Sequence, residues 1–180
     1  MGAAITGNKA TLNINLAPAQ IEAALRSPRG FVGYFTERMG RALKAAGDES
    51  PQYVFIVEGA EAQDFHLHGV ISSTVPNLRS VLAAVGGKTS TAAPERQVHS
   101  RSVYSLVGWV RYIAKAPLTT TEVMTYERRQ LGIEERRDGL IGASRITRAR
   151  GKEWYEEARR GGVTVSDEMH GAGDASIIVE

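Results

Sequence analysis

The clearest structural signal in the chain lies in two consecutive stretches, Gln52–Ala60 (QYVFIVEGA) and Gln63–Ser73 (QDFHLHGVISS). Both are rich in the β-branched and aromatic residues that favour strands. Because only Glu61 and Ala62 separate them, they predict an antiparallel hairpin. An antiparallel sheet is therefore the expected framework of the chain.

The segments on either side of the hairpin add strands and helices to this framework. Ala10–Ala17, in which apolar and polar residues alternate, and Gln97–Val103 are predicted strands. Helices are predicted over Ala19–Arg26 and Phe31–Ala46, where apolar residues recur at three- and four-residue spacing. Further helices are predicted over Pro76–Val85, Tyr104–Ala116, Thr121–Gln130 and Ser144–Arg160. Pro18 is expected to open the first helix and Pro117 to stop the fourth. This order predicts an α+β fold with a central antiparallel β-sheet and flanking helices.

Length and composition indicate one domain. The chain has 180 residues, of which 42% are hydrophobic, enough for a single core. We expect this domain to cover residues 1–160 and residues 161–180, which are acidic and contain glycine, to form a flexible tail. The absence of cysteine excludes disulfides, thiol nucleophiles and zinc–thiolate sites. No apolar run approaches the roughly 20 residues of a membrane span, and no secretory signal is recognisable, so we expect a cytoplasmic protein without a membrane partner.

Positive charge is concentrated in the proposed domain. The net charge is +2, but residues 161–180 contain four acidic residues and no Lys or Arg, so residues 1–160 carry +6. Basic residues cluster between Arg96 and Lys115 and between Arg136 and Lys152. Such clusters suit a polyphosphate backbone, although solvated helix faces have the same composition.

A His-x-His pair lies inside the second strand of the hairpin. Side chains alternate along a strand, so His66 and His68 project from the same face, about 7 Å apart. Two imidazoles placed in this way can converge on one metal ion. The alternative is a pair of surface histidines on an exposed sheet face.

Glu58 is the predicted third ligand. It is an acidic residue at the end of the otherwise apolar first strand, and antiparallel pairing brings it near the histidines. Two imidazoles and one carboxylate, with open positions for water and phosphate oxygen, fit Mg²⁺ or Mn²⁺ acting on a phosphodiester. Asp64 is closer in sequence but is assigned to the turn, and a solvated Glu58 remains the alternative.

A candidate nucleophile lies on the predicted helix Tyr104–Ala116. Tyr112 and Lys115 are three residues apart and share a helix face. A phenol is a poor nucleophile unless a cation stabilises the phenolate or a metal polarises the target. Lys115 is suited either to activate Tyr112 or to hold the phosphate, and Tyr104 is the second-choice nucleophile. Tyr112 and Lys115 are equally compatible with an ordinary amphipathic helix.

Together these pieces resemble the HUH endonuclease superfamily and, within it, the rolling-circle replication initiators. That family carries three motifs in fixed order: an apolar strand with polar residues, a His-hydrophobic-His strand and a helix with Tyr-x-x-Lys. Here they correspond to Ala10–Leu16 (ATLNINL), His66-Leu67-His68 and Tyr112-Ile113-Ala114-Lys115. An acidic third ligand shortly before the His pair also occurs in the family and matches Glu58. The resemblance spans roughly residues 10–116.

The resemblance implies a palm-like sheet and a site-specific nickase that initiates rolling-circle replication of a plasmid or phage. Mg²⁺ or Mn²⁺, bound by His66, His68 and Glu58, would be the cofactor. Tyr112 would attack a single-stranded or hairpin origin DNA, giving a 5′-phosphotyrosine and a free 3′-hydroxyl. The residues expected to contact DNA are Arg96, Arg101, Arg111, Arg145, Arg148, Arg150 and Lys152.

Two departures refine this expectation. No second tyrosine lies four residues from Tyr112, which favours a single-tyrosine enzyme. No P-loop is present, so a host or separately encoded helicase would have to unwind the DNA. The oligomeric state does not follow from the sequence.

Other functions share some of these features. A single-tyrosine transposase has the same chemistry, and so does a relaxase, although its tyrosine usually lies near the N-terminus. A non-catalytic nucleic-acid-binding sheet would stack bases on exposed aromatics, for which Tyr53 and Phe55 are the candidates. Metal dependence separates that class from the enzymes. His99 has no assigned role.

Overall fold

The structure is a computed structural model that describes residues 9–59, 64–87, 97–101, 117–134 and 139–160. Its strands are β1 (Ala10–Asn15), β2 (Gln52–Gly59), β3 (Phe65–Ser72), β4 (Val98–His99) and β5 (Ile141–Ala143). Its helices are α1 (Pro18–Arg26), α2 (Gly30–Ala45), α3 (Leu78–Gly86), α4 (Pro117–Gln130) and α5 (Arg145–Arg160). The predicted α+β fold with an antiparallel sheet is confirmed.

The strands form one sheet in the order β4-β1-β3-β2-β5, with every neighbouring pair antiparallel. The predicted hairpin is present, because β2 pairs with β3 along its whole length, from Gln52 opposite Ser72 to Gly59 opposite Phe65. On the other side of β3, β1 is paired over six residues. The His-x-His strand is therefore the central strand of the sheet.

Pro and Gly residues stand at several helix boundaries. Pro18 occupies the first turn of α1, where its missing N–H costs no hydrogen bond. Gly47 and Gly87, with φ of 95° and 81°, follow α2 and α3 in a backbone region that favours glycine.

One helix boundary differs from the prediction. We predicted that Pro117 ends one helix and that the next helix begins at Thr121, but α4 begins at Pro117 itself. The physical reason is the one that applies at Pro18: proline is tolerated in a first turn and not in a helix interior.

The core lies between one face of the sheet and the helices. Alternate residues of the strands, among them Leu12, Phe55 and Leu67, are buried against Phe31 and Phe35 of α2. Because strand side chains alternate, the residues between them occupy the opposite face. Glu58, His66 and His68 belong to that opposite face.

Of the remaining secondary-structure elements, one was not predicted, one is described only in part and two lie outside the described residues. β5 was not predicted, and the expected strand Gln97–Val103 is described as a strand only at Val98–His99. The expected helix Tyr104–Ala116 and the expected tail 161–180 lie entirely outside the described residues. No helix in the described ranges is long and apolar enough to cross a membrane.

Candidate metal centre

Strand register places the acidic residue beside the histidine pair. Glu58 on β2 lies directly opposite His66 on β3, and His68 lies opposite Ile56. Paired residues in an antiparallel sheet project from the same face, so all three side chains share one side of the sheet. The sequence-based prediction of this grouping is confirmed.

The ligand atoms of Glu58, His66 and His68 all lie within 4.8 Å of one another. His68 Nε2 is 3.0 Å from Glu58 Oε2. The two imidazole rings have centroids 5.1 Å apart and are nearly perpendicular, at 88°. The rings are thus not stacked on each other, and their nitrogens converge with the carboxylate.

The centre is sheltered from solvent. His68 is 6% exposed, and the Glu58 side chain is 16% exposed. Withdrawing an ionisable cluster from water is costly unless its members are paired or bind a metal. The contact between Glu58 and His68 meets part of this requirement.

Asp64 adds a second carboxylate beside the centre. Its Oδ1 lies 3.6 Å from His66 Nδ1, which is buried and makes no hydrogen bond within the described ranges. A carboxylate behind a metal-bound histidine commonly fixes the tautomer that leaves the other nitrogen for the metal. The sequence-based assignment of Asp64 to the turn missed this neighbour, although its position two residues before His66 is a recognisable signal.

The donor set fits a divalent cation. Metal–ligand bonds of about 2.0–2.2 Å require donor atoms to lie a few ångströms apart, as they do here. Imidazole nitrogens and one carboxylate suit Mn²⁺ and several other divalent ions, and they leave coordination positions open. Glu58, His66 and His68 are therefore a candidate metal centre.

The β1 side of the centre carries two asparagines. Asn13 lies opposite His68, and Asn15 lies opposite His66. The Asn13 Oδ1 atom is buried and has no hydrogen-bond partner among the described residues. Neither residue has a role that follows from the sequence, because β1 is separated from β3 by about fifty residues of sequence.

The predicted DNA-contacting residues of α5 do not lie at the metal centre. Arg150 donates a hydrogen bond to Gln52 Oε1 (2.8 Å), at the opposite end of β2 from Glu58. Six residues of strand place these two ends about 20 Å apart. Arg145, Arg148 and Lys152 are exposed on the same helix. They form a basic surface at a distance from the candidate metal ligands.

Of the other predicted site residues, one lies within the described residues and four lie outside them. Arg101 is described and exposed, next to β4. Tyr112 and Lys115, together with Arg96 and Arg111, lie outside the described residues.

The alternative of base stacking on Tyr53 and Phe55 is wrong. Both side chains belong to the core, with exposures of 2% and 0%. They lie opposite Ile71 and Gly69, on the face of the sheet that packs against helices. The physical reason is strand alternation, which sends these rings and the histidines to opposite faces.

Comparison with known proteins adds no relative: no protein-family model, no curated protein and no solved structure matches the chain.

Proposed function

We propose that the protein is a metal-dependent, single-strand DNA endonuclease that initiates rolling-circle replication through a covalent tyrosine intermediate. The observation that carries this proposal is the convergence of Glu58, His66 and His68 on one face of the central strands. The order of the His pair before Tyr112-x-x-Lys115 supports the same class. A single-tyrosine transposase would use the same chemistry on a different DNA.

The metal centre suits phosphodiester chemistry. A divalent ion held by Glu58, His66 and His68, for which we propose Mg²⁺ or Mn²⁺, would polarise the scissile phosphate. The same ligand types also bind Zn²⁺ and Fe²⁺, so our choice of metal follows from the proposed phosphate substrate. Asp64 would orient the His66 ring from behind.

Tyr112 is the proposed nucleophile. Its phenol oxygen forms a bond to phosphorus while the bond from phosphorus to the 3′ oxygen breaks. The phenol proton leaves to solvent, and the departing oxygen gains a proton to become a free 3′-hydroxyl. The 5′-phosphotyrosine retains a reactive ester, so attack by a 3′-hydroxyl rejoins the strand. Lys115, three residues further along the sequence, is the proposed cation for the phenolate or the phosphate.

The proposed partners follow from this chemistry. The substrate is a single-stranded or hairpin origin, and a separate helicase would supply the unwound strand. The exposed arginines of α5 carry charge suited to a segment of DNA away from the cut. We further propose that the protein acts in the cytoplasm.

The test is covalent capture on a randomised single-stranded DNA library. The purified protein is incubated with the labelled library and Mn²⁺, and adducts that survive denaturing electrophoresis are sequenced at their DNA ends. We expect an adduct with a common cleavage sequence, which EDTA and Glu58→Gln suppress and which Tyr112→Phe abolishes. Tyr155→Phe is the matched control, because Tyr155 is a half-exposed tyrosine on α5.

Two outcomes would change the proposal. An adduct that survives in Tyr112→Phe and is lost in Tyr104→Phe would keep the enzyme class and move the nucleophile. If the folded parent protein binds Mn²⁺ but captures no DNA from the library, the nickase assignment is wrong.

A further inference from the structure

The sheet face that carries the metal centre has two different halves. On the β2 side, Val54 and Ile56 are apolar and buried. On the β1–β4 side, Asn15 and His99 are polar and exposed, and Asn13 is half-buried. A polar ligand that reaches the metal centre along this face is therefore favoured on the β1–β4 side.

The register aligns three of these residues in one row. His99 on β4 lies opposite Asn13 on β1, and Asn13 lies opposite His68 on β3. Neighbouring strands are about 4.8 Å apart, so His99 stands roughly 10 Å from His68 with Asn13 between them. Adjacent nucleotides of one extended strand can span such a separation.

The β4 segment is held firmly against β1. The Thr11 N–H donates to the Arg101 carbonyl (2.6 Å), and the Arg101 N–H donates to Thr11 Oγ1 (2.9 Å). At the start of β4, the Gln97 side-chain amide donates to the carbonyls of Asn15 and Gly87. His99 and Arg101 are therefore carried on an anchored segment, although their side chains are exposed.

The chemistry of this half suits single-stranded DNA. Arg101 is a cation for a phosphate, and residues 9–17 and 97–101 contain no acidic residue that would repel one. The buried Asn13 Oδ1 has no hydrogen-bond partner among the described residues, an arrangement that is unfavourable unless a donor is supplied. Base edges present N–H donors, and the Asn amide is a common partner for them.

We propose that the single DNA strand that is cut runs from the metal centre across β1 to β4. Asn13 hydrogen-bonds a base beside the scissile phosphate, and His99 and Arg101 hold the next phosphate along the strand. The position of the cut in this arrangement rests on the proposed function. The binding surface itself can be tested without any cutting.

The test measures the affinity of fluorescein-labelled oligonucleotides by anisotropy, with EDTA present so that no cleavage occurs. Oligo(dT) and a mixed-sequence single strand are compared at several salt concentrations. Arg101→Gln is expected to weaken both and to reduce the slope of log Kd against log salt by about 0.7, the value for one phosphate contact on a single strand. His99→Gln is expected to weaken both severalfold.

Asn13→Ala is expected to behave differently. It removes a base contact, so the ratio of the two affinities should change while the salt slope stays constant. Lys44→Gln, which removes an exposed cation at the end of α2 on the helical side, is the charge-matched control and should bind like the parent. Thermal unfolding of each variant identifies any that is misfolded.

The outcomes separate this inference from the proposed function. If Arg101→Gln and His99→Gln bind DNA as tightly as Lys44→Gln while Tyr112-dependent adducts form, the strand path is wrong and the nickase stands. If Arg101→Gln and His99→Gln weaken binding but no adduct forms on any strand, the surface stands and the nickase assignment falls.

Discussion

At the scale of single residues, the candidate site depends on how Glu58, His66 and His68 share one small volume. The 3.0 Å contact between Glu58 and His68 and the perpendicular imidazole rings orient the donors toward a common point. Each ion–ligand bond would contribute a large share of the affinity of this group for a metal, so the loss of one ligand is expected to weaken metal binding.

A metal-binding measurement tests this arrangement directly. We expect His68→Ala to weaken Mn²⁺ binding by about tenfold or more, measured by the loss of the free Mn²⁺ signal in electron paramagnetic resonance. His99→Ala is the matched control, because His99 occupies the same face but lies opposite Asn13, outside the metal group. Equal Mn²⁺ affinity in the two variants would contradict the assignment of His68 as a ligand.

At the scale of elements, the β2–β3 hairpin holds the site together. Gly69, between His68 and Val70, lets the β3 backbone approach the β2 backbone closely. A Cβ at Gly69 would lie 2.0 Å from the Val54 carbonyl oxygen and 2.8 Å from Phe55 Cα, both of which are backbone atoms. Backbone of a paired strand cannot yield as a flexible side chain can, so this position requires glycine.

The corresponding prediction is that Gly69→Ala destabilises the protein by about 1–3 kcal/mol, the range for overpacking. The hairpin must separate locally, so Mn²⁺ affinity should fall with stability. Urea unfolding measures the first effect. Gly139→Ala is the control, because a Cβ there meets no atom within 4 Å, and its change should stay within about 0.5 kcal/mol. Comparable stability of the two variants would show that the hairpin tolerates a side chain at position 69.

The length of an element decides whether it can be predicted from its sequence pattern. The hairpin and the helices α1, α2 and α3 follow from local signals that extend over eight or more residues. β5 has only three residues, too few for a period-two pattern to be distinguished from a loop. It is a strand because the edge of β2 offers it backbone partners, with Val54 opposite Ala143.

At the scale of the whole molecule, the core links the sheet to α2 through Tyr53. This side chain is 2% exposed, and its hydroxyl donates to the Thr36 carbonyl (2.7 Å). Burial raises the pKa of Tyr53 to about 12 from its ordinary 10, and the charge of Arg148 opposes this change. The neutral phenol is thus favoured by folding.

The raised pKa predicts a loss of global stability at high pH. Because the folded-state pKa exceeds the unfolded one, the contribution is complete below pH 10 and is lost as the pH rises toward 12. The loss should approach 3 kcal/mol, roughly the energy of a two-unit difference. Tyr53→Phe should flatten this part of the curve in urea unfolding at increasing pH, after a decrease of about 1 kcal/mol at neutral pH. An unchanged alkaline limb in Tyr53→Phe would exclude Tyr53 as its origin; Tyr126→Phe, which removes an exposed phenol, is the control.

The fold class, the hairpin and the grouping of Glu58 with His66 and His68 can be predicted from local sequence patterns alone. These follow from strand alternation and short-range pairing, which backbone geometry imposes locally. The three-dimensional fold was needed to show that β1 pairs with β3, and therefore that Asn13 stands between His68 and His99. It likewise placed the Tyr53 and Phe55 rings in the core and the basic face of α5 away from the metal centre. Pairings between distant segments depend on which faces the packed helices cover, and no local pattern records that choice.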